Sequence, residues 1–235
     1  IIKNPGLELK SQDAIKKLDY VFEATKLIKA DINVPLIGFT GSPWTLFVYL
    51  FYGESPKNRN EIHDYLKLNS SKTHSYLKAM TEVMHDYVHA QIQSGANCIQ
   101  IFDSWGGMLD SEYEEFSLMY INELAENIPS NIPVILFTRG KKIDSIIEST
   151  NINCFDLDIT DNIDHHIDKS IVIQGNFDPR KFHSDVDKLE ELATQIFEKY
   201  KNKNNYIFNL GSGLTPDIDP EKVGIFLEKL SSLSS

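Results

Sequence analysis

Polar residues follow several short apolar runs of the sequence, and their types and positions could support chemistry. Ser212 lies between two glycines in "YIFNLGSGLTPD", where the absence of a Cβ lets a ligand or another backbone come close. Ser104 follows an apolar run in "QIFDSWGG"; its hydroxyl can bind a ligand carboxylate, whereas Asp103 can equally cap the next turn. In "GFTGSPWTLFVYLFYG" Pro43 can start a helix. Tyr49 on that helix is either a core residue or a phenol that donates a hydrogen bond to an anionic ligand.

Further candidates support weaker interpretations. Arg139 in "LFTRG" is a basic residue at a strand end, and either a ligand contact or a surface ion pair would explain it. Asp158 and Asp178 look catalytic in isolation, but aspartates at strand ends more often accept hydrogen bonds from backbone N–H groups. His85 and His89 have the i, i+4 spacing of a metal pair, yet no cysteine or carboxylate at a strand end completes the site. We therefore expect no metal.

Composition limits the class of protein. The 235 residues carry a formal net charge of −11, which argues against a general binder of nucleic acid or acidic membranes. Cys98 and Cys154 lie in separate apolar runs and are predicted to be buried free thiols of a reducing compartment. His165 and His166 lie in an acidic stretch that indicates solvated surface. With no long apolar run and no signal-peptide pattern at the N-terminus, the sequence predicts a cytoplasmic protein.

Six apolar runs of four to six residues predict strands that are buried on both faces. They are Val34–Phe39, Cys98–Asp103, Val134–Phe137, Cys154–Leu157, Ile171–Gln174 and Tyr206–Leu210. Helical patterns lie between them, at residues 15–27, 76–92, 186–200 and after the Asp219-Pro220 start signal, and "SEYE" at 111–114 predicts a capping box for one more.

The alternation of strands and helices predicts an all-parallel sheet, either open and doubly wound or closed as a (β/α)₈ barrel. Six strands suit the open sheet, and a barrel needs eight. No phosphate-binding fingerprint follows the first strand, whereas many strands end in small or polar residues, as the active-site face of a barrel requires. We therefore predict a barrel, as a single domain over residues 1–235.

In this order, the quoted stretches resemble the uroporphyrinogen decarboxylase family over nearly the whole chain. Each motif is weak alone, but "PWTL", "FDSW", "QGNFDP" and "NLGSGLTPD" together are highly specific. The resemblance implies a TIM barrel, usually a homodimer, without metal or organic cofactor. It also implies stepwise decarboxylation of the four acetate side chains of uroporphyrinogen to give coproporphyrinogen. By motif, Tyr49 matches the family's substrate-binding tyrosine and Ser104 its hydroxyl residue after the strand.

Two departures from the family pattern stand out. We find no counterpart in these 235 residues to the family's N-terminal segment. The resemblance implies that this segment supplies two strands, arginines that pair with substrate carboxylates, and an aspartate that holds the pyrrole N–H groups. We therefore assign no catalytic residue and expect six of the eight strands. We therefore expect these 235 residues by themselves to have little decarboxylase activity. The family usually has "NLGHG" where this chain has "NLGSG". Position 212 then faces the ligand with a neutral hydroxyl instead of a histidine.

Two other functions compete. A non-catalytic tetrapyrrole-binding or interaction protein derived from this fold would explain why Ser212 replaces the histidine and why the family's substrate-pairing arginines have no counterpart in these residues. Cobalamin and coenzyme M methyltransferases of the same superfamily use zinc, and the resemblance implies a His-x-Cys where this chain has Phe137-Thr138-Arg139. Zinc requires thiolate or imidazole ligands, which these positions do not offer.

Overall fold

The computed structural model describes residues 14–56, 60–167 and 169–234, and divides the chain into two compact units. The first unit ends at Phe155 and the second begins at Asp156. Each unit combines parallel strands with helices, as the alternating pattern of the sequence predicts. The expectation of a single domain over residues 1–235 stays a prediction.

The first unit is built on three parallel strands: β1 (Ile37–Gly41), β2 (Cys98–Asp103) and β3 (Val134–Thr138). β2 lies between the other two, with Gly38 opposite Ile99 and Ile101 opposite Leu136. The helices are α1 (Asp19–Asp31), α2 (Pro43–Tyr52), α3 (Asn60–Gln93) and α4 (Met119–Glu126). A fourth strand, β4 (Cys154–Leu157), includes the boundary between the units.

The structure departs from the sequence predictions at three places in the first unit. β1 begins three residues later than predicted, after Pro35, which has no N–H group for a ladder. The helix predicted from Tyr76 extends back to Asn60, with non-helical backbone at Asn69. The predicted capping box is wrong: Ser111 bonds the adjacent Glu112 side chain, and the chain enters a π-helical turn at residues 114–118 instead.

A side chain of α3 is bonded to the backbone of β1. The Phe39 N–H donates to Gln91 Oε1 at 3.0 Å, and Gln91 Nε2 donates back to the Phe39 carbonyl at 3.0 Å. Gln91 is 3% exposed, and a Cβ added at Gly38 would lie 2.9 Å from its Oε1 atom. The glycine therefore makes room for the amide against the strand.

The second unit contains the parallel pair β5 (Val172–Gln174) and β6 (Tyr206–Ile207), followed by a bridge between Phe177 and Leu210. Helices α5 (Val186–Tyr200) and α6 (Pro220–Ser234) pack around a core of Phe177, Phe182, Leu189, Ala193, Ile218 and Phe226. β6 is shorter than the predicted Tyr206–Leu210 run. The predicted start signal of α6 is confirmed, because Asp219 Oδ1 accepts from the Glu221 N–H at 2.9 Å.

Two predictions about the environment of side chains can be compared with the structure, one for the cysteines and one for the adjacent histidines. Cys98 and Cys154 are free thiols, as predicted; Cys154 is also buried as expected, whereas Cys98 is only half-buried. His165 is exposed, but the interpretation of His166 as solvated surface is wrong: it is 2% exposed, and its Nε2 lies 3.7 Å from Asp161 Oδ1. Within the described residues, no helix combines the length and the apolar character that crossing a membrane needs.

Candidate active site

Helix α2 carries Tyr49 to the carboxyl-terminal side of the first unit's strands. Ser42 has extended backbone and its side chain accepts from the Thr45 N–H, while Pro43 occupies the first turn, so the helix begins directly after β1. Tyr49 is 42% exposed, which disfavours the core interpretation of this residue. Its ring meets that of Trp105 edge-on, with centroids 6.1 Å apart, so the phenol stands beside the end of β2.

Ser104 and Arg139 follow neighbouring strand ends. Ser104 comes directly after β2 and is half-buried. Arg139 follows β3 and is exposed; its N–H donates to the Asp103 carbonyl at 3.3 Å, and its carbonyl accepts from the Gly107 N–H at 3.0 Å. A Cβ at Gly107 would lie 2.6 Å from that carbonyl, so the approach of the two loops requires glycine. The structure thus brings Ser104 and Arg139 together at the carboxyl-terminal ends of two neighbouring strands.

Asp103, which the sequence left between a ligand contact and a cap, is fully buried. Its Oδ1 atom accepts from Ser42 Oγ at 2.6 Å and from Thr45 Oγ1 at 3.5 Å. Burial raises the pKa of the carboxyl, although the hydrogen bonds act in the opposite direction. Burial, together with the nearby Asp103 charge, raises the pKa of Tyr113 well above its usual range. Asp103 therefore contacts other protein groups and does not face solvent.

Ser212 lies in the second unit, just after β6 and its bridge, and is half-buried. The preceding Gly211 donates its N–H to the Phe177 carbonyl at 2.9 Å, and a Cβ there would lie 2.8 Å from the backbone nitrogen of Ile159. Asn176 donates from its side chain to the carbonyls of Asp158 and Asp161, at 2.7 and 2.8 Å. The segment that carries Ser212 is therefore fixed by close backbone packing. That Ser212 shares one cleft with Tyr49 and Ser104 stays a prediction.

The remaining candidates have structural partners. Asp158 Oδ1 accepts from the Thr160 N–H, and Asp178 Oδ1 accepts from the Arg180 N–H, so both cap turns, as the sequence favoured. The Arg180 side chain also pairs with Asp178, at 2.6 Å between Nη2 and Oδ2, and thereby lowers the pKa of that carboxyl.

The two histidines at i, i+4 contact backbone carbonyls. His85 Nε2 lies 3.4 Å from the Glu123 carbonyl, and His89 Nε2 lies 3.1 Å from that of Asn127. Over the described ranges, no group of three histidine, cysteine or acidic side chains is arranged to hold a metal ion. Each of the two rings thus ties α3 to a different carbonyl around the end of α4.

A family model described as uroporphyrinogen decarboxylase matches residues 5–233. The chain belongs to this family. Its relatives include proteins named uroporphyrinogen decarboxylase from Francisella tularensis subsp. novicida (37% identical; 97% of this chain and 69% of the relative) and Hydrogenovibrio crunogenus (37%; 94% and 66%). The chain therefore spans about two thirds of the length of these decarboxylases.

Solved structures show the same fold at low identity. A methyltransferase from Methanosarcina mazei is similar with a TM-score of 0.72 at 19% identity, covering 95% of this chain and 67% of that one. A B12-independent methionine synthase from Shewanella sp. W3-18-1 is similar with a TM-score of 0.60 at 12% identity, covering 91% and 65%. These likenesses, together with the family match, confirm a parallel α/β architecture of the TIM-barrel type.

Proposed function

We propose that this protein removes carboxyl groups from the acetate side chains of uroporphyrinogen, giving coproporphyrinogen and CO₂ without a cofactor. The family match over residues 5–233 carries the proposal. In each step the C–CO₂ bond breaks and its electron pair passes into a protonated pyrrole. A proton is then added to the former acetate carbon, which becomes a methyl group. The protein must bind a polyanion, stabilise a positive ring and deliver protons.

Three side chains are proposed to bind the tetrapyrrole: Tyr49, Ser104 and Ser212. The exposed Tyr49 phenol and the Ser104 hydroxyl can donate to substrate carboxylates at the ends of β1 and β2. Arg139 favours the proposal of an anionic ligand, because its guanidinium makes no ion pair with the residues that the structure describes. Arg180, in contrast, is paired with Asp178. A homodimer, which the family resemblance implies, and a cytoplasmic location, which the sequence pattern predicts, belong to the same proposal.

The test is anaerobic conversion of uroporphyrinogen to coproporphyrinogen by a purified chain that contains these 235 residues and has the length of the decarboxylase relatives, with Tyr49→Phe as the variant. Removing a hydrogen bond to a charged group costs about 1.5–3 kcal/mol, so we expect KM to rise by about tenfold to a hundredfold with kcat changed far less. Tyr20→Phe is the matched control, because Tyr20 is 71% exposed and lies on α1.

The outcomes separate the two classes of function. Turnover that depends on Tyr49 supports the decarboxylase. Saturable binding of uroporphyrinogen without any coproporphyrinogen would identify the non-catalytic tetrapyrrole-binding protein, which the Ser212 hydroxyl favours because it lacks an imidazole's near-neutral pKa. Equal effects of Tyr49→Phe and Tyr20→Phe would remove Tyr49 from the site.

A further inference from the structure

A set of hydrogen bonds joins the end of β2 to the first turn of α2. The Ser42 hydroxyl donates to Asp103 Oδ1 at 2.6 Å and accepts from the Thr45 N–H at 2.9 Å. One hydroxyl therefore serves both as the N-cap of α2 and as the partner of the carboxyl that precedes Ser104. Since both Ser42 and Asp103 are fully buried, water does not compete for this bond.

Further bonds join the same two segments. The indole N–H of Trp44 donates to the Trp105 carbonyl at 3.0 Å, and the Trp105 N–H lies 3.4 Å from Thr45 Oγ1. The backbone N–H of Ser42 donates to the Phe102 carbonyl at 2.8 Å. Residues 42–45 and 102–105 thus form one hydrogen-bonded block; Ser104 belongs to it, and Tyr49 lies one turn further along α2, with its ring against that of Trp105.

A buried carboxyl is costly here, which indicates a function beyond simple packing. The hydroxyls of Tyr113 and Ser117 face Asp103, but Oδ2 has no partner within hydrogen-bonding geometry among the described residues. An apolar side chain would avoid this desolvation. It would also lose the 2.6 Å bond from the Ser42 cap and the longer 3.5 Å bond from Thr45 Oγ1, which attach the first turn of α2 to a side chain of β2.

We propose that Asp103 is a positioning residue: through Ser42 it fixes the start of α2, and hence the distance between the Tyr49 phenol and the Ser104 hydroxyl. This rests on the proposed function, in which those two groups bind the same substrate. A helix attached at its first turn can present a residue about two turns later only as accurately as that turn is held.

Four variants test the proposal kinetically. Asp103→Ala and Ser42→Ala each break the bond, and kcat/KM is expected to fall about ten- to a hundredfold, mostly through KM. Asp103→Asn keeps an Oδ1 acceptor for Ser42 and is expected to stay within a fewfold of the wild type with an unchanged pH profile. Asp219→Ala removes the N-cap bond of α6 and controls for the general loss of a cap.

The decisive measurement is a double-mutant cycle with Tyr49→Phe. If Asp103 acts by placing Tyr49, Ser42→Ala should cost less than about twofold when the phenol is already gone. Additive losses would overturn the proposal, and so would inactivity of Asp103→Asn, because the charge or proton of the carboxyl would then be what counts. Ser42→Ala keeps the test available if Asp103→Ala does not fold.

Hydrogen exchange gives a readout that needs no turnover. Amides of residues 45–49 should exchange faster in Ser42→Ala and Asp103→Ala, and at the wild-type rate in Asp103→Asn and Asp219→Ala. Unchanged exchange in all four variants would refute the positioning role even if the wild type decarboxylates uroporphyrinogen. Faster exchange in Ser42→Ala and Asp103→Ala, together with an inactive wild type, would instead support the role of Asp103 in fixing the start of α2 and refute the proposed function.

Discussion

Replacing Gly106 by alanine should destabilise the protein through the buried carboxyl of Asp103. The new Cβ would lie 2.1 Å from Asp103 Oδ2 and 2.8 Å from Tyr113 Cε2, whereas unstrained contacts begin at about 3.5 Å. The carboxyl must therefore move by roughly 1.4 Å, and its 2.6 Å bond to Ser42 holds it against that movement. Overpacking costs about 1–3 kcal/mol and a lost buried hydrogen bond about 1–3 kcal/mol.

The expected loss is thus about 2–6 kcal/mol of the free energy of unfolding, measured by chemical denaturation. For a chain of this size it corresponds to a Tm lower by roughly 4–24 °C. Gly224→Ala is the control, because a Cβ there meets no atom within 4 Å and alanine is the better helix former by about 0.5–1 kcal/mol. A Gly106→Ala protein as stable as the wild type would refute the view that packing fixes this carboxyl.

Two further predictions concern Ser212 and Cys98. Ser212→His should raise kcat for uroporphyrinogen in the anaerobic assay, since an imidazole supplies a proton donor near neutral pH; an unchanged or lower kcat would show that position 212 is not the family's histidine site. Burial raises the pKa of Cys98 to about 11, so its alkylation by iodoacetamide, followed by mass spectrometry, should accelerate about tenfold per pH unit up to that pH. A rate that levels off near pH 9 would contradict the shift, and Cys98→Ser identifies the labelled residue.

Local signals predicted the elements that position the site, but not the contacts that hold them. The runs at Cys98–Asp103 and Cys154–Leu157 match β2 and β4 in full, because continuous apolar stretches are typical of strands buried on both faces. The Ser42-Pro43 start of α2 is likewise a local signal. The partner of Asp103 lies 61 residues away, so no periodicity could reveal whether this aspartate faces ligand, cap or core. The burial of His166 could not be predicted for the same reason, because an acidic neighbourhood in the sequence does not determine burial in the fold.

The bonds between Gln91 and Phe39 have a consequence for association through strand addition. Exposed strand edges invite other chains to pair with them; among the described residues β1 pairs with β2 on one side only, and it has a half-exposed aromatic, Phe39, at its centre. There the side-chain amide of Gln91 offers the same donor and acceptor that a neighbouring backbone would offer. A strand that pairs with β1 at this point must exchange two amide bonds for two others, with little net gain. The Gln91 amide therefore occupies, at Phe39, the backbone groups through which a second chain would have to pair with the centre of β1.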